Sequence, residues 1–596
     1  MLYFHHDTHP KLYCRFRWVY CQLEYLSNCI PARIRHALDT LPGTLDATYE
    51  RTLRGIKSTD WEFARRLFQC VTVAPRPLCV KELAEFLAFD FKAGPIPKFH
   101  EEWRLEDPLE AVLSTCSTLL ALVDVDDSPV IQFSHFSVKE FLTSTRFAEK
   151  RDDISYRYHV SMTPAHTFVA KACLGTLLHL EEDVDEDVLK KFPLAEYAAE
   201  HWVEHARFEG VSKNAEEGMK QLFDRRRRHL TVWLWIYHTM KLADPWRKVT
   251  RFDPLRPTRG SCLHWASFFG FCAIVKSLAI EYPKDIRSRD FEDESTPLHL
   301  ASKRGHAEVA RFLIERGADT TAKDAHKWTP LHHAVEKENE DISRLLLEHG
   351  ANVKAKDWAR RTPLHLAVRN QREDIARLLL EHGAATTEKD ENGWSPLHYA
   401  LWQENDSPES LSDPYYGPPG PVKAKYGWIP PGFPVQQGRE DFACMLLKHG
   451  ADATARDKDG WTPLHLATWN GTEALAHLLL KHGADATTKD KYGSSLLHRA
   501  VGSGREEIVR LFLEHGADAT VRDKKKWTPL RCAVDQGSEN VIRLLVKHRG
   551  DVTALAGQGP ASLQVEQDAR YKPEHSRLSY IWRRLGKCVN RSPRGA

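Results

Sequence analysis

The sequence predicts a mainly α chain, with a small winged helical domain in its first 150 residues and a solenoid of about eight repeats in its C-terminal half. Two observations predict this. A [Ser/Thr]-x-Leu-His signature recurs through the second half, mostly at 33-residue intervals. Three stretches of helical apolar spacing, then a short strand pair, occupy residues 59–150.

In the first domain, Trp61, Ala64, Leu67, Phe68 and Val71 keep helical spacing, and Pro75 and Pro77 close the helix. Leu83, Ala84, Phe86 and Leu87 mark a second helix. Leu109, Val112, Leu113, Cys116 and Leu120 mark a third, expected over 108–122. Leu122–Val125 and Val130–Phe133, joined at Asp126-Asp127-Ser128-Pro129, form a hairpin. Ser137-Val138-Lys139-Glu140 fits a capping box that opens a last helix. Three helices and a two-stranded wing make a winged helix.

The signature histidines are His264, His299, His332, His365, His398, His465 and His498. An eighth copy, Thr528-Pro529-Leu530-Arg531, keeps the spacing without the histidine. In one repeat, Thr362 is the expected N-cap, its hydroxyl accepting from an orphan N–H. Pro363 falls where a missing N–H costs nothing. Leu364 and Ala367 share a face, and Ile375, Leu378 and Leu379 give a second helix its apolar stripe. Gly383 ends that helix, and Asp390–Gly393 makes a finger-like turn to the next signature. One such pair cannot bury both its stripes, so neighbours must stack. Thr-Pro-Leu-His at this period resembles the ankyrin repeat. The repeats are expected over 258–556. The first and last copies diverge (Cys262 in the proline position, Arg531 for histidine), as terminal caps do.

The interval from His398 to His465 is 67 residues, one period plus an insertion at 406–438. That segment is rich in proline and aromatic residues, including Pro418, Pro419, Pro430, Pro431, Tyr415, Tyr416 and Trp428. It reads as a loop leaving the stack between two helices, or as a polyproline ligand for an aromatic groove. Residues 557–596 turn basic, with sparse apolar content, and are expected to be disordered.

Leu41-Pro42-Gly43-Thr44-Leu45-Asp46-Ala47-Thr48-Tyr49-Glu50-Arg51 resembles the junction after the nucleotide-binding core of fungal NACHT–ankyrin proteins of the STAND, NLR-like class. Phe133–Leu142 is similar to the end of their winged helix, the domain named for GPI inositol-deacylase-like proteins. Phe192–Trp202 resembles the helical segment that follows. The resemblance implies a helical remnant of the NACHT core at 1–58, the winged helix at 59–150 and a helical linker at 151–257. It also implies that the phosphate loop would lie upstream of Cys14. No G-x-x-x-x-G-K-[ST] occurs in the sequence, nor the nucleophile elbow G-x-S-x-G, so neither nucleotide hydrolysis nor lipase chemistry is expected. By the same resemblance His135 would be the nucleotide-sensing histidine, vestigial here, and a structural role at the wing–helix junction is the reading preferred.

The expected function is therefore a non-catalytic interaction scaffold whose groove binds a protein. The alternative is a regulatory fragment or decoy of a nucleotide-gated switch, docking through its winged helix. The positions after Leu-His-x-Ala face the family's groove: Lys303, Glu336, Arg369, Trp402, Trp469 and Asp535. Finger positions carry Trp328, Trp394, Trp461 and Trp527, for contact or for packing. His299, His332, His365, His398, His465 and His498 are expected to be structural, with no catalytic residue, cofactor or metal. Repeat neighbours sit about 10 Å apart, too far to share a zinc ion. Charges nearly cancel at +2 overall, so no nucleic-acid partner is indicated. The third helix of the winged domain carries Glu110 and no Lys or Arg, against a DNA-reading role. Arg225–Arg228 reads as a solvated face, with a localisation signal as the alternative. Twelve cysteines show no C-x-x-C pair. The longest apolar run, 232–237, is too short to span a bilayer. Neither a membrane nor a small-molecule substrate is expected, and the location expected is cytoplasmic, with a nuclear one as the alternative.

Overall fold

The computed structural model describes residues 41–116, 118–125, 128–180, 184–241, 260–402 and 439–548. The insertion expected at 406–438, the basic tail at 557–596 and most of the 1–58 remnant lie outside the described residues. The chain divides into two compact units, 1–291 and 292–596.

In the first unit, α1 (Leu45–Arg54) opens on Thr44, whose hydroxyl accepts from the Ala47 N–H at 3.2 Å. Helix α2 (Trp61–Val73) follows and stops at Ala74, before the two prolines. Strand β1 (Leu78–Cys79) and helix α3 (Val80–Glu85) come next. The short pair β2 (Phe89–Asp90) and β3 (Lys98–Phe99) precedes α4 (Pro108–Cys116). The hairpin is β4 (Leu120–Val125) and β5 (Ser128–Phe133). It pairs in register from Leu120 with Phe133 to Val125 with Ser128. The wing is three-stranded in the order β1-β5-β4, so the two-stranded expectation is corrected. Leu78 faces Ile131 and Cys79 faces Val130, a pairing two residues long and too short to leave an alternation in the sequence. Leu120, expected on the third helix, is the first wing residue instead, because it pairs across to Phe133.

Helix α5 (Phe136–Thr143) also starts differently from expectation. Its N-cap is His135, not Ser137: the His135 Nδ1 accepts from the Ser137 N–H at 3.3 Å. Ser137 then lies inside the helix, buried, with its Oγ 2.6 Å from His135 Nδ1 and 2.8 Å from the Tyr49 hydroxyl of α1. His135 thereby ties the wing, α5 and α1 together.

The linker is built from long buried helices, notably α6 (Met162–His179) and α7 (Leu194–Arg207). His205 sits between them, with Nδ1 2.8 Å from His166 Nδ1 and Nε2 2.9 Å from the Tyr197 hydroxyl. Helix α8 (His229–Lys241) adds Trp233, whose indole N–H donates to the Ala199 carbonyl at 2.9 Å. The first repeat, α9 (Cys262–Phe269) and α10 (Cys272–Glu281), belongs to this unit. Trp202 stacks on Phe271 at 5.1 Å, and Trp233 meets Phe269 at 5.0 Å. The first repeat thus has an aromatic seam with the linker in place of a sister repeat on that side.

In the second unit, helix pairs follow one another by the same rule. First helices start at Pro297, Pro330, Pro363, Pro396, Pro463, Leu496 and Pro529. Second helices start at Ala307, Glu340, Glu373, Arg439, Glu473, Glu506 and Glu539. Leu364, Ile375 and Leu379 are fully buried between repeats. Each finger is closed by an aspartate: Asp390 Oδ1 accepts from the N–H groups of Asn392 and Trp394, both at 2.8 Å. Neighbouring fingers are sewn backbone to backbone, as by Glu391 N to Ala359 O at 2.9 Å and Lys458 N to Asn392 O at 3.0 Å. The finger residue two positions before the N-cap threonine or serine of each first helix takes the left-handed conformation. Gly393 has φ +82°, and an added Cβ would meet the Lys458 N at 3.0 Å. Lys327 and Arg360 adopt the same conformation without being glycine, at φ 59° and 62°. Replacing Arg360 by glycine is expected to stabilise the second unit by about 0.5–1 kcal/mol, from relief of left-handed strain net of glycine's extra unfolded-state entropy. Urea titration of R360G beside wild type checks it, and a loss of stability would show that the Arg360 side chain contributes more than its strain costs.

Candidate protein-interaction groove

The signature histidine fixes the geometry on which the groove depends. His365 Nδ1 lies 3.1 Å from the Thr362 N–H and 2.8 Å from its hydroxyl, while Nε2 lies 3.2 Å from the Trp394 carbonyl of the next repeat. A carbonyl only accepts, so Nε2 carries the proton and Nδ1 accepts. The hydroxyl of Thr362 therefore donates to the ring and, in a capping box with His365, also accepts from the His365 N–H, the N-cap role expected of it. The same arrangement holds at His299, His332 and His398, with Nε2 reaching the carbonyls of Trp328, Arg361 and Trp461 at 3.1, 3.3 and 3.4 Å. His498 reaches Trp527 at 3.0 Å, and in the first unit His264 reaches Ser288 at 3.2 Å. His465 differs: its Nδ1 engages Thr462, but its buried Nε2 has no partner among the described residues. Burial drives the basicity of these rings down, to about 3 at His299 and His332 and about 4 at His365, His398 and His465. All five are held neutral, and four of them, His299, His332, His365 and His398, staple one repeat to the next. Where the histidine is lost, the cap reverts to the simpler form, Thr528 Oγ1 accepting from the Arg531 N–H at 3.2 Å.

The staple sets where the first helix ends, and the groove positions lie four residues past the histidine. Lys303 is half-buried in the last turn of Pro297–Arg304. Glu336 and Arg369 are paired across repeats, Arg369 Nη2 lying 2.7 Å from both carboxylate oxygens. Trp402 caps Pro396–Leu401, and its ring meets Trp394 edge-on at 5.1 Å. Trp469 lies 5.8 Å from Trp461 and is 42% exposed. Gly502 holds the equivalent place in the next repeat, and Asp535 is exposed in the last.

The finger tryptophans were expected either to contact a partner or to pack. Trp328, Trp394 and Trp461 are buried, and Trp527 is 37% exposed. Burial leaves the first three to position others: Trp394 supports Trp402 and Trp461 supports Trp469, while its face carries the Arg499 guanidinium at 5.3 Å. Sequence reasoning missed the residues one step further on. Asn370 Nδ2 donates to the Glu336 carbonyl at 3.3 Å, Asn470 Nδ2 to the Leu401 carbonyl at 2.5 Å, and Gln536 Nε2 to the Gly502 carbonyl at 3.0 Å. Each ties a groove position to the preceding repeat. The signal was present, since an amide side chain recurs five residues after the signature position.

The groove therefore offers an ion pair, two supported indoles and terminal charges, a set suited to holding a polypeptide. Residues 263–357, 358–413, 422–490 and 475–556 match the family model for ankyrin repeats (three copies), and residues 49–152 match the GPI inositol-deacylase, winged helix domain. Ankyrin repeats and a GPI inositol-deacylase-type winged helix are present. The chain is 28% identical over 305 residues to azaphilone pigments biosynthesis cluster protein L of Monascus ruber, covering 47% of this chain and 61% of that protein. It is 42% identical over 76 residues to protein phosphatase 1 regulatory subunit 27 of Mus musculus, covering 13% of this chain and 47% of the relative. The chain thus spans less than two thirds of the length of either. The ankyrin repeat domain of Bcl-3, a unique member of the IkappaB protein family, is similar at 29% identity and a TM-score of 0.34, over 43% of this chain and 100% of that one. Ankyrin repeats imply a protein–protein interaction scaffold. Among the described residues no helix is long and apolar enough to cross a membrane, and no group of three or more His, Cys, Asp or Glu side chains is placed to hold a metal ion.

Proposed function

We propose that the chain is a non-catalytic scaffold whose ankyrin groove binds one protein partner through the surface from Glu336 to Trp469. The carrying observation is the half-exposed Trp469, held by buried Trp461 beside Trp402 and the Glu336–Arg369 pair. An indole kept rigid by a buried neighbour loses little entropy on binding, which favours an anchor role. The reading as a relative or decoy of nucleotide-gated NACHT proteins rests on sequence resemblance alone.

Trp469→Ala is expected to lower affinity for the groove partner by about tenfold or more. Thermal unfolding should move by no more than a few degrees, because the residue is not core. The check is affinity capture with the full wild-type chain and the variant, then binding isotherms for proteins lost by the variant. A large drop in melting temperature would make Trp469 a packing residue. Equal capture by both chains would place the partner elsewhere.

A further inference from the structure

The tips of the last three fingers are chemically unlike the groove. In each finger the aspartate turns inward: Asp457, Asp490 and Asp523 accept from the N–H groups of Trp461, Ser494 and Trp527 at 2.7, 2.9 and 2.8 Å. Asp490 also holds Arg499 at 2.6 Å. With those carboxylates spent on their own turns, the outer rim carries a row of lysines, with Asp459 beside it. Lys458, Lys491 and Lys524 are exposed and recur one repeat apart, with Lys525 and Lys526 beside the last. Lys491 pairs with Asp459, whereas Lys458 and Lys524 have no carboxylate partner among the described residues. Two aromatic side chains stand among them, Tyr492 at 50% and Trp527 at 37% exposure.

The spacing selects the ligand. Successive fingers are joined backbone to backbone, Lys491 N to Asp459 O at 3.0 Å and Lys524 N to Tyr492 O at 3.3 Å, so the lysine row advances by one repeat, about 10 Å, per step. A polyproline II strand rises about 3.1 Å per residue with three residues per turn, so every third side chain faces the same way about 9.3 Å apart. A β-strand would turn the third residue to the opposite face. We propose that the last three finger tips form a second docking surface, taking an extended acidic segment of a partner protein with a carboxylate at every third residue. Single-stranded nucleic acid is disfavoured, because the ring faces on which bases would stack already carry cations: Lys491 Nζ lies 5.1 Å over Tyr492 and the Arg531 guanidinium 5.6 Å over Trp527.

The test uses the full chain and fluorescence anisotropy with a labelled ten-residue peptide bearing Glu at positions 1, 4, 7 and 10. Its controls are an isomeric peptide with the four Glu together and a single-stranded deoxythymidine ten-mer. The proposal expects the spaced peptide to bind at least about threefold more tightly than the clustered one. It expects a K458E/K491E/K524E variant to lose at least about tenfold, and binding to weaken several-fold between about 50 and 300 mM salt. A K458Q/K491Q/K524Q variant guards against misfolding of the charge reversal and should lose binding in the same direction. Equal binding of both peptides, tighter binding of the oligonucleotide, or no loss in either triple variant overturns it. Because W469A lies in the groove, it should leave peptide affinity unchanged. Loss of peptide in W469A would assign the peptide to the groove and overturn the second surface, while failure of the finger variants alone leaves the groove reading standing.

Discussion

Replacing His365 by alanine is expected to destabilise the second unit by about 3–4 kcal/mol. The ring is fully buried and meets three polar groups: the Thr362 N–H, the Thr362 hydroxyl and the Trp394 carbonyl. Its removal strands those groups out of water, at about 1–3 kcal/mol for a buried unsatisfied group, and leaves a cavity besides. Water entering the cavity would recover part of that, which is why the total stays below the sum. His465→Ala supplies the internal control. That ring makes the same contacts to its own cap, but its Nε2 has no carbonyl partner among the described residues. The His465 variant should therefore lose about 1 kcal/mol less, the net worth of one hydrogen bond. Urea titrations of both variants followed by circular dichroism measure the difference. Equal losses would mean that the inter-repeat bond adds nothing to the cap, and a loss below about 1 kcal/mol at His365 would remove the staple altogether.

The second large effect is acid lability. Desolvation holds His299 and His332 to about 3 and His365, His398 and His465 to about 4, whereas in the unfolded chain each titrates near 6.5. The folded values are depressed, so below pH 6.5 the unfolded state binds the extra protons. Stability from these groups is present in full above about pH 6.5 and is lost as pH falls toward the folded values. Each histidine contributes at most about 1.4 kcal/mol per pH unit inside that window, so five together contribute up to about 7 kcal/mol per unit. Asp390 and Asp457, raised by burial, act in the opposite sense within the ordinary carboxylate range and offset part of the slope at the acid end. The second unit is expected to unfold cooperatively between about pH 6 and 4.5. Melting curves in matched ionic strength across pH 7.5–4.5 check it. A melting temperature flat from pH 7 to pH 5 would show that the histidines titrate as exposed groups.

Much of the solenoid was legible because its determinants are local. Threonine, proline and leucine before each histidine define a cap, a first turn and a buried face within four residues. What was not legible depends on a neighbour. Trp328 and Trp527 occupy equivalent finger positions, yet one is buried and the other partly exposed, because the environment of each is set by a different adjoining repeat. The cap of α5 is hidden in the sequence for a similar reason. Ser137 has the right spacing for a capping box, but Tyr49, 88 residues earlier, takes its hydroxyl, and His135 supplies the cap. Strand β1 is two residues long and shows itself only through pairing with Val130 and Ile131. The merging of the first repeat with the linker rests on Trp202, Trp233, Phe269 and Phe271, whose positions follow no period. The groove positions were readable by register, whereas the ion pair between Glu336 and Arg369 needed the stack to bring them together.

Long-range nitrogen–proton correlation NMR on histidine-labelled full chain tests the central claim most directly, because it reads the protonation of each ring nitrogen. The account predicts that the signature histidines hold the Nε2–H tautomer from pH 7.5 until the fold is lost in acid, with no titration near pH 6.5. Nδ1–H tautomers at these rings, or midpoints close to 6.5 in the folded chain, would contradict it.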